Sequence, residues 1–433
     1  MIGVICAFLF EGLLCHTIGI PNSSEDSLML VSQLLLIINV VIVFIYISRR
    51  YHEYDQMVTY ALILSLALKV ALLLWDYYGT AIFVLPNSHL DSEAFHREGV
   101  LFAKGIRRSV ENYSYVVGYI YRYFGVQRLT AQFFNIILSF LGIDILERTL
   151  CVLEINEVAR NRTIILSGLL PNFLIMSSIL IRECLIAVIL CISLYLFAVW
   201  WKNNNIFLLV IAEITPLFAC YFHSGSIAIS IGIAICAVIA KRDRNGERIT
   251  RITISTIVFS ALLFVGFLYL FNRLSGSLLR RFQGLDINAI EGYAEGHHFY
   301  ESTSGSSSSY SAGIAGISGW RGIIINSPIR IIYFLWSPMP WDIRGIGDII
   351  AFLGSSMFYG GTVISGIYYL IGARFSGKKD ATIVCILILA MSGALVFAWG
   401  VDSAGSALRH REKFFFIYLL LYGLIQNGRI IDQ

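Results

Sequence analysis

The sequence predicts an all-α, polytopic membrane protein: one integral membrane domain over residues 1–433, with about twelve transmembrane helices, both termini cytoplasmic and two long outer loops. Three observations predict it. Of the 433 residues 57% are hydrophobic and 14% charged, with mean hydropathy +0.74, whereas soluble domains carry about 25% charged residues. The apolar residues fall in long runs, not in the short alternating segments of a β-barrel. Lys and Arg collect in every second loop, the bias that sets orientation in a bilayer.

Taken in order, the runs long enough to span are 2–20, 28–48, 57–85, 128–146, 163–181, 184–201, 206–222, 224–240, 252–272, 347–372, 382–400 and 412–428. Residues 2–20 lack the basic segment of a signal peptide and contain Glu11, so they read as a first membrane helix. The joins at Lys202–Asn205 and His223–Ser224 are so short that their flanking helices must be antiparallel hairpins. The inner loops carry Arg49 and Arg50, Arg148, Arg160 and Arg162, Lys202, the basic run from Lys241 to Arg251, Arg374, Lys378, Lys379 and Arg429. Residues 21–27 and 223–225, on the other side, carry no Lys or Arg.

Composition also excludes classes of function. A net charge of +4 is too small to argue for a nucleic-acid partner. The eight cysteines sit mostly in apolar runs and show no C-x-x-C spacing, so neither a disulfide framework nor a zinc site is expected. No Walker or dinucleotide-type glycine pattern occurs, and the inner loops are too short for a sugar-nucleotide domain. An enzyme of this design takes a membrane-borne donor and works outside.

Both long loops, 86–127 and 273–346, fall on the outer side. In the first, Phe95, Phe102, Ile106, Val110 and Tyr113 recur at helical spacing with Arg97, Lys104, Arg107 and Arg108 between them, which predicts one amphipathic interfacial helix. Tyr113, Tyr115, Tyr119, Tyr121 and Tyr123 suit the headgroup level. The second holds a Ser/Gly-rich stretch from Ser302 to Gly322, a mobile lid or a spacer. It continues into Ile323–Trp336, which Pro328 and Arg330 should break into a re-entrant or interfacial segment, and into a rigid turn at Ser337–Trp341. No internal repeat is evident, which counts against a transporter.

The candidate site residues all map to the outer side. Asp91, heading the first loop, is either a proton acceptor or metal ligand or the N-terminal cap of a helix, with Glu93 and His96 as local alternatives for the chemistry. Arg182 and Glu183 interrupt an apolar stretch, where an ionisable group costs about 2.5–3.5 kcal/mol and is a functional hypothesis by default. Neighbours on a helix point about 100° apart, so the two should find different partners. Arg409, His410 and Arg411 form a basic cluster against the positive-inside bias, suited to an anionic phosphate or, with Lys413, to anchoring at the interface. Arg97 adds charge on the same side. His223, at a tight turn, is a better site candidate than His297 and His298, which read as loop surface. Lys69, Glu213, Glu11 and Asp144 are the mid-span ionisable residues a transport path would need.

Asp91-Ser-Glu-Ala-Phe-His96 resembles the Asp-containing first-loop motif of lipid-dependent membrane glycosyltransferases of the GT-C type, and Ile181-Arg182-Glu183 after Pro171 resembles the Arg-Glu/Asp step of bacterial members. Ser337-Pro-Met-Pro-Trp341 and Ala407-Leu-Arg409-His410-Arg411-Glu-Lys413 resemble segments of integral-membrane O-antigen or capsule repeat-unit polymerases. The resemblance spans residues 86–413 through short motifs. It implies a polyprenyl phosphate- or diphosphate-linked saccharide substrate, action at the outer face of the bacterial cytoplasmic membrane, a possible divalent metal, contact with membrane lipids and possible polysaccharide-assembly partners. It implies Asp91 as base or metal ligand, with Arg182, Arg409 and Arg411 holding lipid phosphate. The sequence shows no large C-terminal soluble domain like that of many glycosyltransferase relatives, which favours a polymerase or a compact transferase over a protein glycosyltransferase. Addition of a single sugar and flipping or export of the same glycolipid are the alternatives.

Overall fold

The computed structural model describes residues 1–52, 55–106, 111–242, 248–250, 319–375, 381–401 and 403–431. They are helical except for turns and one antiparallel hairpin of three-residue strands, Ala240–Arg242 against Arg248–Thr250. Among them six helices are long and apolar enough to cross a membrane: Glu25–Tyr51, Gln56–Tyr78, Arg128–Val152, Glu183–Asn203, Ile346–Gly372 and Ala381–Trp399. These mark a membrane protein. The expected span 252–272 and loop residues 273–318, including His297, His298 and most of the Ser/Gly-rich stretch, lie outside the described residues. The chain forms two compact units, Met1–Ile192 and Ser193–Gln433.

The first unit contains α1 (Ile2–Thr17), α2 (Glu25–Tyr51), α3 (Gln56–Tyr78), α4 (Leu90–Ala103), α5 (Asn112–Phe124), α6 (Arg128–Val152), α7 (Glu157–Leu169), α8 (Pro171–Met176) and the start of α9 (Glu183–Asn203). α2 starts on Ser24, whose hydroxyl accepts the Ser27 N–H; Glu25 and Asp26 open it and Arg49 and Arg50 close it, each sign at the end of the helix dipole that favours it. α6 is buried around most of its circumference and packs against α2, α3, α5 and α7.

Two expectations for this unit are corrected. The apolar stripe of the first loop is two helices. α4 ends at Gly105, whose φ of +70° suits a residue without Cβ; its N–H bonds Phe102 O and the Ile106 N–H bonds Leu101 O, a Schellman closure. Ile106 is therefore exposed in the turn instead of continuing the stripe, and Val110 lies outside the described residues. α5 then packs on α4, with Gly99 and Gly118 letting the backbones approach: a Cβ on Gly118 would sit 3.1 Å from Gly99 O. The run 163–181 is likewise not one helix. Pro171 disfavours helical backbone at Leu170, which takes φ −62°, ψ 120°, and α8 restarts with Pro171 at its first turn.

The second unit contains the rest of α9, α10 (Ile206–Ala219), α11 (Ile227–Ile239), α12 (Gly319–Trp336), α13 (Ile346–Ala351), α14 (Met357–Phe375), α15 (Ala381–Trp399), α16 (Ala404–Arg411) and α17 (Phe415–Ile431). A π-helical turn, Phe352–Ser356, joins α13 to α14. α12 is the third correction: it runs unbroken through Pro328 and Arg330. An internal proline costs about 3 kcal/mol, and packing opposes it. Arg330 is buried over the Trp399 ring and donates to Ala398 O, while Trp399 Nε1 donates to Ser327.

Candidate functional site

The sequence-predicted residues fall into two clusters, one in each unit. In the first, α3 and α6 bring charge to one end of the bundle. Asp76, in the last turn of α3, is buried. Its Oδ1 accepts from Ser88, and its Oδ2 accepts from Gln132 Nε2 at 2.5 Å and Arg128 at 3.1 Å. Arg128 also donates to Ser92 Oγ at 2.6 Å and pairs with Glu93. One guanidinium, at the start of α6, thereby ties α4 to α3, with a buried carboxylate on one side and Glu93, whose side chain is 49% exposed, on the other.

One turn beyond Glu93 stands His96, its Nδ1 2.7 Å from Tyr121 Oη. Burial holds the buried Tyr121 phenol well above its ordinary range, so it stays protonated. Burial, and then the Arg128 charge, pull the half-buried His96 imidazole below its ordinary range, against the opposing charge of Glu93. The fold thus favours the neutral His96 ring, one of whose nitrogens donates and the other accepts.

Asp91 lies in the first turn of α4, half-buried, but it is not the cap; that position is His89. Arg97 is exposed on α4. Arg182 donates to Glu111 Oε2 at 2.9 Å and lies over the Phe95 ring, and Glu183 is buried in the first turn of α9. Glu98 accepts from the Glu111 N–H and from Ser114 Oγ, clasping α4 to α5.

Asp76, Arg128 and Gln132 escaped sequence reasoning. Asp76 was concealed inside the apolar run 57–85, and nothing local announces that Arg128, 52 residues later, is its partner. The available signal was a carboxylate in the closing turn of a span, which needs a cation.

The opposite end of α6 carries a second ionic group. Arg50 pairs with Glu147 at 2.8 Å and with Asp144 at 3.6 Å, and Tyr46 and Arg148 also bond Asp144. Asp144 therefore belongs to an end cluster, not to a mid-span path. From Arg128 to Glu147 the helix rises about 28 Å, close to the hydrocarbon thickness of a bilayer. Lys69 lies between the two ends, fully buried, donating to Ser139 at 2.6 Å and facing the Phe140 and Phe173 rings at 4.7 and 4.9 Å.

The second unit gathers the basic residues. His223 stands at the head of a single 3₁₀ turn and its Nδ1 accepts the Gly225 N–H at 3.2 Å. Its ring stacks on Phe397 at 5.0 Å and meets the His410 ring at 5.2 Å. Lys413 Nζ approaches His410 Nδ1 to 2.5 Å; an ammonium only donates, so this nitrogen accepts. Lys413 is fully buried and faces Phe397, which rules out a snorkelling anchor. Arg411 is also fully buried, its terminal nitrogens donating at 2.6 Å each to Leu335 O, in the last turn of α12, and to Ser337 O, just past its end. Arg409 is half-buried on α16.

Among the described residues no group of three or more His, Cys, Asp or Glu is placed to hold a metal ion, and no residue is assigned to one. Compared with family models, with curated proteins and with solved structures, the chain matches none.

Proposed function

We propose that this protein polymerises polyprenyl-diphosphate-linked oligosaccharide repeat units into a cell-surface polysaccharide at the outer face of the bacterial cytoplasmic membrane, as a multi-pass protein of about twelve spans with both termini inside. The observation that carries the reading is the cluster at one end of α3 and α6. There Arg128 binds a buried and a half-exposed carboxylate beside a neutral histidine, at the boundary of helices long enough to span. Acid–base groups at a membrane boundary suit a substrate whose anchor lies in lipid and whose reacting sugar lies in water. The motif resemblances over residues 86–413 add the substrate class.

The step transfers a glycosyl group. A hydroxyl oxygen of one repeat unit bonds to the anomeric carbon of another. The bond from that carbon to the diphosphate oxygen breaks, and the diphosphate leaves with the electron pair. Glu93, the solvent-reaching carboxylate of the cluster, takes the hydroxyl proton, with Asp91 two residues before it and His96 one turn beyond as the other groups of this helix. Arg182, in the same unit as Glu93, supplies charge and donors to phosphate oxygens.

A gel of surface polysaccharide from a deletion strain tests this. Restored with the wild-type chain it shows a long ladder; with Glu93→Gln it keeps single repeat units without the ladder. A truncated repeat unit supports addition of one sugar instead, and an unchanged ladder removes both enzyme readings. One observation favours export of the same glycolipid: Lys69 is buried midway along a spanning helix, where an ionisable group usually serves a pathway. Loss of surface glycan with lipid-linked units trapped inside is the outcome that reading expects.

A further inference from the structure

Two buried polar atoms on one face of α6 are left without a partner. Arg128 and Gln132 are four residues apart and rise from the same side of the helix. Arg128 commits both terminal nitrogens, to Glu93, Asp76 and Ser92, and its Nε is buried with no acceptor. Gln132 is fully buried; its Nε2 donates to Asp76, and its Oε1 is buried with no donor. Both side chains bond the same carboxylate oxygen, Asp76 Oδ2, so the two unmet atoms belong to side chains of one hydrogen-bonded group. Glu93, bound to the same guanidinium, is half-exposed, so the group reaches the surface.

The two atoms are of opposite kind. Nε needs a lone pair and Oε1 needs a proton. A hydroxyl group offers both on one oxygen, whereas a phosphate oxygen serves only the arginine. Buried polar atoms are normally paired, so an unmet donor and an unmet acceptor one turn apart on one helix face point to a missing group that is both. We propose that Arg128 and Gln132 form a recognition site for a saccharide hydroxyl of the lipid-linked substrate. The choice of a glycan over any other hydroxyl rests on the function proposed above. A buried water has the same donor–acceptor chemistry, and the test separates the two sources.

The test measures binding, not turnover. The full-length chain in detergent is titrated with lipid-linked repeat unit extracted from cells lacking this protein, and in parallel with sugar-free polyprenyl phosphate, both followed by native mass spectrometry. Arg128→Lys keeps a cation for Asp76 and removes Nε. Gln132→Met keeps the length and removes Oε1. We expect each variant to bind the glycolipid at least tenfold more weakly than wild type and the sugar-free lipid equally well. Equal glycolipid binding in all three proteins overturns the proposal and assigns the two atoms to a buried water. Equal losses for both lipids overturn it too, since the residues then only hold the fold, and a wild-type chain that binds no glycolipid also overturns it. Elongation by the same preparation is scored separately. A wild type that binds glycolipid selectively but never elongates it sinks the polymerase reading and leaves this site standing.

Discussion

The two units hold their arginines in different ways, although Lys69 of the first unit, like the cations of the second, is buried against neutral groups, the Ser139 hydroxyl and two aromatic rings. In the first, Arg128, Arg182 and Arg50 are each met by carboxylates from other segments: Asp76 and Glu93, Glu111, and Asp144 with Glu147. In the second, Arg411 and Arg330 donate to main-chain carbonyls and lie over Tyr359 and Trp399 rings, and Lys413 meets an imidazole. A guanidinium held by carboxylates can exchange one partner for a substrate group while the others hold it. A guanidinium that closes the C-terminal end of a helix cannot leave without undoing that end. Arg128 is therefore held so that it can exchange a partner, and Arg411 is held as part of the architecture.

Arg411→Met should therefore have the largest effect on stability. It strands the Leu335 carbonyl, leaves the Ser337 carbonyl only its bond from Ser356 Oγ, and should cost about 3–5 kcal/mol, read as a lowered melting temperature in detergent. Asp76→Asn comes next, at about 2–3 kcal/mol, because Arg128 keeps Glu93 and Ser92. If Asp76→Asn proved the costlier change, the assignment of the two arginines would be reversed.

Gly105→Ala forces φ +70° on a residue with a Cβ and should cost about 1 kcal/mol in the same melts. The smallest mutational effect belongs to Arg182→Ala, about 0.5–1 kcal/mol, since its partner Glu111 is partly exposed.

The pH dependence follows from His96. Its folded value lies below its unfolded one, so the fold prefers the neutral ring. This contribution is complete above the unfolded value near 6.5 and is lost as pH falls through the folded value. Melts from pH 8 to pH 5 should show stability dropping on the acid side, and His96→Asn should flatten that part of the curve. A drop of equal size in the variant would assign it to other groups.

The helical membrane class was legible because length and hydropathy report directly on burial in lipid. Gly105 and Pro171 carried the information that breaks two expected helices, yet each sits inside an apolar pattern that argues for continuity; the local rule about φ prevailed over periodicity. Pro328 went the other way, since tertiary contacts of Arg330 and Ser327 with Trp399 oppose its cost. At the site, Glu93 and His96 were visible as polar residues opening a loop helix. Asp76 and Gln132 were not, because polar side chains inside apolar runs acquire meaning only from partners that the fold supplies from far along the chain.

The most direct measurement of the central claim is elongation by the purified, full-length protein in lipid discs, supplied only with lipid-linked repeat units. The account predicts that the wild type converts them to a ladder of longer lipid-linked chains with release of polyprenyl diphosphate. It also predicts that Glu93→Gln lowers the rate by at least a hundredfold, as expected when a general base is lost. A wild type that forms no ladder, or a Glu93→Gln protein that elongates at the wild-type rate, would contradict it.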